Sequence, residues 1–357
     1  MSEKPIFHFI KGFNNAAGRR FTNTSGEIGI EIETETVSSE DYPPAYLLRT
    51  ARGYTVEHLL YWKGFKDDSL RNFGLEYALR TPLKYGAYLD TAFEEFHRFT
   101  KEIKFIKDPV KASTHVHLNM LNETFRTMGN FFTLYSLYEN LLIRYSGPNR
   151  LSNMFCIPIC DGEDTCRNMK QMITAASEKN YQGLFFAENA VKYAALNLSA
   201  FYTYGSLEVR SFRGSTDVKE VHKWVSILWY MIQYARKDIT PHDIIFQYDK
   251  DPEKLFKNVF HHTAKELYVP DMEQLVKDNL WYAAGIAFLI PADQWKNLSE
   301  VPELKTDFPI KVLDEVAMNR FGIPYEMIDR IGQEWIIRYL NEREQAPVKN
   351  KLRVRID

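Results

Sequence analysis

Ser113-Thr114-His115-Val116-His117-Leu118-Asn119-Met120 decides how the chain is read. As a strand, its period-two alternation puts His115 and His117 on one face and turns Val116 and Leu118 the other way, into a core. The pattern recurs in Glu27-Ile28-Gly29-Ile30-Glu31-Ile32-Glu33-Thr34-Glu35, where Glu31 and Glu33 oppose Ile30 and Ile32. It recurs again in Ser206-Leu207-Glu208-Val209-Arg210-Ser211-Phe212-Arg213, where Glu208 and Arg210 oppose Leu207 and Val209. Three strands, apolar on one side, thus carry metal-ligand or phosphate-binding groups on the other.

The rest of the composition suits a sheet with a sizeable core. The chain has 357 residues, 45% of them hydrophobic, and a formal charge of −2, which gives no electrostatic signal for nucleic acid. Its start, Met1-Ser2-Glu3-Lys4-Pro5, shows no secretory h-region, and Ile6 to Ile10 is too short to be one. The longest apolar run, Trp281 to Ala292, holds Gly285 and Pro291 and falls short of a bilayer span, so no membrane partner is expected. Cys156, Cys160 and Cys166 are an odd set. They argue for free thiols in a reducing compartment, and so for a cytoplasmic protein, rather than for disulfides. Their C-x3-C-x5-C spacing suggests part of a zinc site, but no fourth ligand stands out.

Along the chain, residues 1–25 form a lead-in and 27–37 the first strong strand. Residues 54–62 and 73–80 read as two more strands, with a turn in Trp62-Lys63-Gly64-Phe65-Lys66-Asp67-Asp68-Ser69-Leu70. Helical spacing covers 87–105, and Asn122 or Thr124 caps a helix of about 125–145. A helix near 164–178 sits in a loop-rich stretch. Residues 192–212 read as two strands joined around Tyr204-Gly205, and Asp217 caps a helix of about 218–236. Further helices are expected at 252–263, 271–289, 310–320 and 325–343. The domains read as a lead-in at 1–25, a mixed α+β domain at 26–236, a helical region at 237–345 and a basic tail at 346–357.

Taken singly, each charged pair reads as an ordinary solvated strand face. Together they put three carboxylates, two imidazoles and a guanidinium on one sheet surface. Clustered carboxylates repel one another unless cations neutralise them. An oxygen-rich set favours Mg²⁺ or Mn²⁺, two or more ions, and multiple carboxylates with an arginine suit nucleotide phosphates. No GxxxxGK[ST] loop is present, so the phosphates would be held by metal and arginine on the sheet. Asp68, in a turn, and Glu76, in the strand after it, are placed to join the same face.

The ordered series G-I-E-I-E-T-E, W-K-G-F-K-D-D-S-L-R-N-F-G-L-E-Y, S-T-H-V-H-L-N-M and G-S-L-E-V-R-S-F-R-G resembles the amidoligase family over roughly residues 26–236. That family is grouped with glutamine synthetase and glutamate–cysteine ligase, the carboxylate–amine ligases. The resemblance implies a curved, mainly antiparallel sheet of the glutamine synthetase type, flanked by helices, whose concave face holds ATP and divalent ions. It implies metal-binding roles for Glu31, Glu33, Glu76, His115, Glu208 and Asp68. His117 and Arg210 would lie by the nucleotide phosphates, and Arg210 and Arg213 would act on phosphate or substrate.

The reaction it implies is ATP-dependent amide formation through an acyl phosphate, with carboxylate and amine substrates and an amidotransferase as a candidate partner to deliver nitrogen. Two other readings remain open. His115, His117 and Glu123 approach the spacing of a cupin-like 2-His-1-carboxylate metal oxygenase. A non-catalytic binding protein on a ligase scaffold is the other.

Overall fold

Alternation of isoleucine with glutamate makes β1 (Ile28–Thr36), with Ile28, Ile30 and Ile32 essentially without solvent contact. The structure is a computed structural model that describes residues 2–14, 21, 24–38, 59–71, 73–107, 109–185, 192–301 and 305–345. After β1 come β2 (Trp62–Lys66), β3 (Phe73–Leu79), β4 (Ser113–Asn119), β5 (Leu196–Asn197) and β6 (Ser206–Arg213). They form one six-stranded sheet in the order β2-β3-β1-β4-β6-β5, each neighbouring pair antiparallel. The protein is therefore α+β with an antiparallel sheet.

Helices cover the apolar face. They are α1 (Ala87–Thr100), α2 (Phe125–Ser146), α3 (Glu163–Ser177), α4 (Val218–Ala235), α5 (Pro241–Lys250), α6 (Pro252–Phe260) and α7 (Met272–Ala287). The α1 residues Phe93 and Phe96 pack on Trp62 of β2, at ring separations of 6.4 and 5.1 Å. Trp224 of α4 stacks on Phe212 of β6 at 5.1 Å. Each large side chain buried this way contributes about 1.5–3 kcal/mol, which fixes which face of each strand turns inward. Helix α2 starts where the Thr124 hydroxyl accepts from the Thr127 N–H at 3.1 Å and ends at Gly147, whose φ of 110° is followed by Pro148. It is buried on nearly every side, Arg126, Asn130 and Glu139 included.

The chain divides into two compact units, Glu3–Ser299 and Met1–Ser2 with Glu300–Asp357. The first holds the sheet and α1 to α7. The second holds α8 (Ile310–Phe321) and α9 (Arg330–Gln345), which enclose a small core of Phe308, Leu313, Ala317, Ile336 and Leu340.

Two local expectations change. Strand structure continues past Trp62, where the expected strand ended, as far as Lys66, because Trp62 pairs with Leu79 and sends its Nε1–H to the Ala92 carbonyl at 2.7 Å. The turn begins at Asp67. The connection at Tyr204-Gly205 is a helical turn, Ser199–Tyr204, rather than a hairpin. The Asn197 side-chain oxygen accepts from the Ser199 N–H and hydroxyl at 3.0 and 2.6 Å, which starts that turn, and Gly205 closes it at a φ of 71°. Most of the strand read at 54–62, and the tail at 346–357, lie outside the described residues.

Candidate functional site

Strand register assembles the site. Across β1 and β4, Glu31 lies opposite His115 and Gly29 opposite His117. Across β4 and β6, His117 lies opposite Glu208, and across β1 and β3, Glu33 lies opposite Glu76. Paired residues in an antiparallel sheet share a face, so one surface collects all six groups. Gly29 leaves room for this: a Cβ there would meet the Cβ of His117 at 3.2 Å.

His115, 2% exposed, is the hub. Its Nδ1 is 3.2 Å from Glu31 Oε2 and 3.1 Å from Glu208 Oε1, and its Nε2 is 2.7 Å from the Ser113 hydroxyl. Ser113 also donates its N–H to Glu33 Oε2 at 2.9 Å. Glu208 is gripped twice more, by Arg210 Nη1 on Oε1 and by the Asn197 amide on Oε2, both at 2.6 Å. His117 Nδ1 is 3.1 Å from the Ser206 hydroxyl. Its Nε2 lies 3.6 Å from Glu31 Oε1, too long for a hydrogen bond, and is buried with no hydrogen-bond partner among the described residues.

Donor atoms fall into two groups. Glu31, His117 and Glu208 each bring one atom within 4.8 Å of the others, and so do Glu33, Asp67 and Glu76. Two cavities open on the same face. One of about 410 Å³ is lined by Glu31, His117, Lys63, Arg80, Asn119 and Tyr204. The other, of about 470 Å³, is lined by Glu31, Glu33, Asp67, Glu76, Lys111 and Arg210 among others. Glu31 borders both.

The electrostatics match this division. Burial raises the Glu31 carboxyl, but His115 and His117 outweigh it and hold the group well below its ordinary range. Glu208 is likewise lowered: burial pushes it up, and His117, His115 and Arg210 pull it further down. Burial lowers His117 and the Glu31 and Glu208 carboxylates raise it, with a net rise. At Glu76 the counter-charge of Lys63 is outweighed. Burial, then Glu31, Glu33 and Asp67, push it up to about 8. An uncompensated carboxylate cluster beside an unpartnered buried imidazole nitrogen is a donor set that fits a hard divalent cation.

Most of the residues singled out in the sequence meet here, but not all. Asp68 points out, its side chain 82% exposed and paired with Lys66 at 2.7 Å, while its neighbour Asp67 joins Glu33 and Glu76. His117 joins Glu31 and Glu208 in one donor group, and His115 touches the same two carboxylates. Arg213 pairs with Ser113 at the end of β6, but its guanidinium turns away to Glu220 of α4 at 3.0 Å and stacks on Phe212. Glu123 does not join the histidines. It accepts from Arg236 Nη2 at 2.6 Å and Nε at 3.1 Å. The three cysteines are free, with Cys156 and Cys166 buried. Sequence reading passed over Asp67, Asn197, Ser113 and Ser206. The two serines carried a signal, since each lies two residues before a site residue on its own strand.

Fold and site together define an α+β protein with an acidic, histidine-bearing sheet face. Residues 79–230 match the family described as "Putative amidoligase enzyme". This bears out the resemblance read from the motifs and supports a function of the carboxylate–amine ligase kind. The match takes in β4 and β6 and leaves Glu31, Glu33, Asp67 and Glu76 before its start. One solved structure with similarity is a bifunctional glutathione synthetase from Pasteurella multocida, 13% identical, with a TM-score of 0.29. The alignment covers 77% of this chain and 51% of that one, so the chain spans about half the length of that relative. No curated protein sequence matches.

Proposed function

We propose that this protein is an ATP-dependent, divalent-metal-dependent carboxylate–amine ligase built on a glutamine synthetase-like catalytic domain at residues 26–236. The observation that carries the reading is the pair of donor groups on one sheet face, flanked by two cavities that meet at Glu31. Two substrates that approach one phosphoryl group in line need such an arrangement.

In this reading Glu31, His117 and Glu208 would hold one Mg²⁺ or Mn²⁺ ion, and Glu33, Asp67 and Glu76 a second. When bound, the ions supply positive charge that screens the phosphate oxygens. The cavity lined by His117, Lys63 and Arg80 takes the nucleotide, and the one lined by Arg210 and Lys111 takes the carboxylate substrate. A substrate carboxylate oxygen attacks the γ-phosphorus, the bond to the ADP oxygen breaks, and an acyl phosphate forms. The amine nitrogen then attacks the acyl carbon, loses a proton and expels inorganic phosphate. Arg210, fixed by Glu208, offsets charge on the phosphoryl group in the first step. His115 holds Glu31 and Glu208 in position. In this reading the protein works in the cytoplasm, as its free cysteines suggest, and a partner amidotransferase would deliver nitrogen if ammonia is the amine.

The test is Mg²⁺-dependent phosphate release from ATP across a panel of carboxylate and amine pairs. Wild-type protein should turn over with a cognate pair, and Glu31→Ala, His115→Ala and Arg210→Ala should each abolish turnover while leaving the fold intact. Absence of nucleotide binding with any divalent metal would end the reading. The oxygenase alternative loses its carboxylate, because Glu123 is committed to Arg236; iron-dependent oxygen uptake would revive it.

A further inference from the structure

Between β4 and β6 the register slips by one. Val116 pairs with Val209 and Thr114 with Phe212, so Arg210 and Ser211 together oppose His115. This is a β-bulge, and it sits at the residue whose guanidinium grips Glu208. A bulge takes two carbonyls out of the ladder and leaves them in need of donors. Both find the same one. Arg150, in the turn that follows α2, is 1% exposed, and it donates Nη2 to the Arg210 carbonyl at 2.8 Å and Nε to the Ser211 carbonyl at 3.1 Å. On the other side the Arg210 N–H donates to the Ala195 carbonyl at 2.8 Å. The buried Cys156 thiol holds the Arg150 carbonyl at 3.3 Å, which fixes the turn itself. The remaining nitrogen, Nη1, is buried without a hydrogen-bond partner among the described residues.

We infer that Arg150 is a positioning residue for catalysis: its guanidinium fork clamps the β6 bulge and so aims Arg210 into the site. The inference rests on the ligase reading above and adds a residue that touches neither donor group. Without the clamp the bulge is free to move back along β6, so that Ser211 alone opposes His115 and Arg210 slides one residue, to a place opposite Val116. Because side chains alternate, that slip turns Arg210 away from the face that carries His115 and Glu31. A lysine cannot replace the clamp, since a single ammonium lacks the planar fork that reaches two carbonyls at once.

The experiment is a double-mutant cycle of Arg150→Lys and Arg210→Lys, read as kcat and KM for ATP. Arg150→Lys alone should lower kcat by about tenfold to a hundredfold, the effect of a misplacement near 1 Å, with KM for ATP unchanged. On the Arg210→Lys background it should cost nothing further, because both changes remove one function. Losses that multiply, or a rise in KM with kcat intact, would overturn the inference and leave Arg150 a merely structural residue. If Arg150→Lys does not fold, Arg150→Gln, a shorter side chain whose amide cannot span both carbonyls, should show the same loss and the same lack of additivity. Amide hydrogen exchange at Arg210 and Ser211 gives a readout that needs no turnover. It should quicken in Arg150→Lys relative to the core strand β1, and unchanged exchange would refute the clamp. A wild-type protein without ATP turnover would fail the ligase reading, with the exchange data still deciding the clamp.

Discussion

Glu139 sits in the middle of α2 with 0% exposure, its Oε2 accepting the Ile159 N–H at 2.6 Å. Burial pushes its carboxyl up to about 8; the Ile159 amide and Tyr135 pull the other way and do not compensate. The folded protein therefore keeps this proton while the unfolded chain releases it near 4.5. Between those two values the native state binds more protons, so stability falls as pH rises. Below about 4.5 both states are protonated and the stability is intact; above about 8 the loss is complete. The gap between the two values, at about 1.36 kcal/mol per unit, amounts to an upper bound of about 5 kcal/mol. Glu139→Gln keeps an acceptor for Ile159 and removes the titration. Urea unfolding of both proteins across pH 5 to 9 is the assay. The difference in unfolding free energy should be small at the acid end and grow steadily in favour of the variant, levelling off above about pH 8. Parallel curves for the two proteins would refute the reasoning, because they would mean that the carboxyl ionises alike in both states.

Two further substitutions separate the site from its surroundings. Asp67→Asn should weaken Mn²⁺ binding by removing one carboxylate from the group with Glu33 and Glu76, while Asp68→Asn, which breaks only an exposed pair with Lys66, should leave both binding and stability within about 0.5 kcal/mol. Titration of Mn²⁺ by its paramagnetic signal checks both, and equal effects from the two would show that the turn is oriented differently. Ile32→Ala should cost about 2–5 kcal/mol in denaturant unfolding, since Ile32 has no exposed surface and a cavity would open under β1.

Much of the sheet was legible because its information is local. Each of β1, β4 and β6 carries its apolar and polar faces within one continuous stretch, so alternation alone sorted Ile30 and Ile32 from Glu31 and Glu33. The choice between Asp67 and Asp68 was not legible, since turn geometry decides which of two adjacent carboxylates points inward. The extension of strand structure past Trp62 to Lys66 was not legible, since it depends on pairing with β3, a non-local partner. The bulge was not legible either: it sets Arg210 and Ser211 together against His115 and brings Arg213 opposite Ser113. No periodicity within β6 reveals it. Asn197 and Arg150 act on β6 from 11 and 60 residues away, and nothing in their own neighbourhoods marks them.

Counting Mn²⁺ ions per chain by paramagnetic resonance, with a non-hydrolysable ATP analogue present, puts the two donor groups to the question. Two ions should bind to the wild-type protein, and one should be lost in Glu208→Ala and the other in Asp67→Ala. A wild-type protein that binds none, or a count that neither substitution alters, would contradict the proposal that these strands build a two-ion nucleotide site.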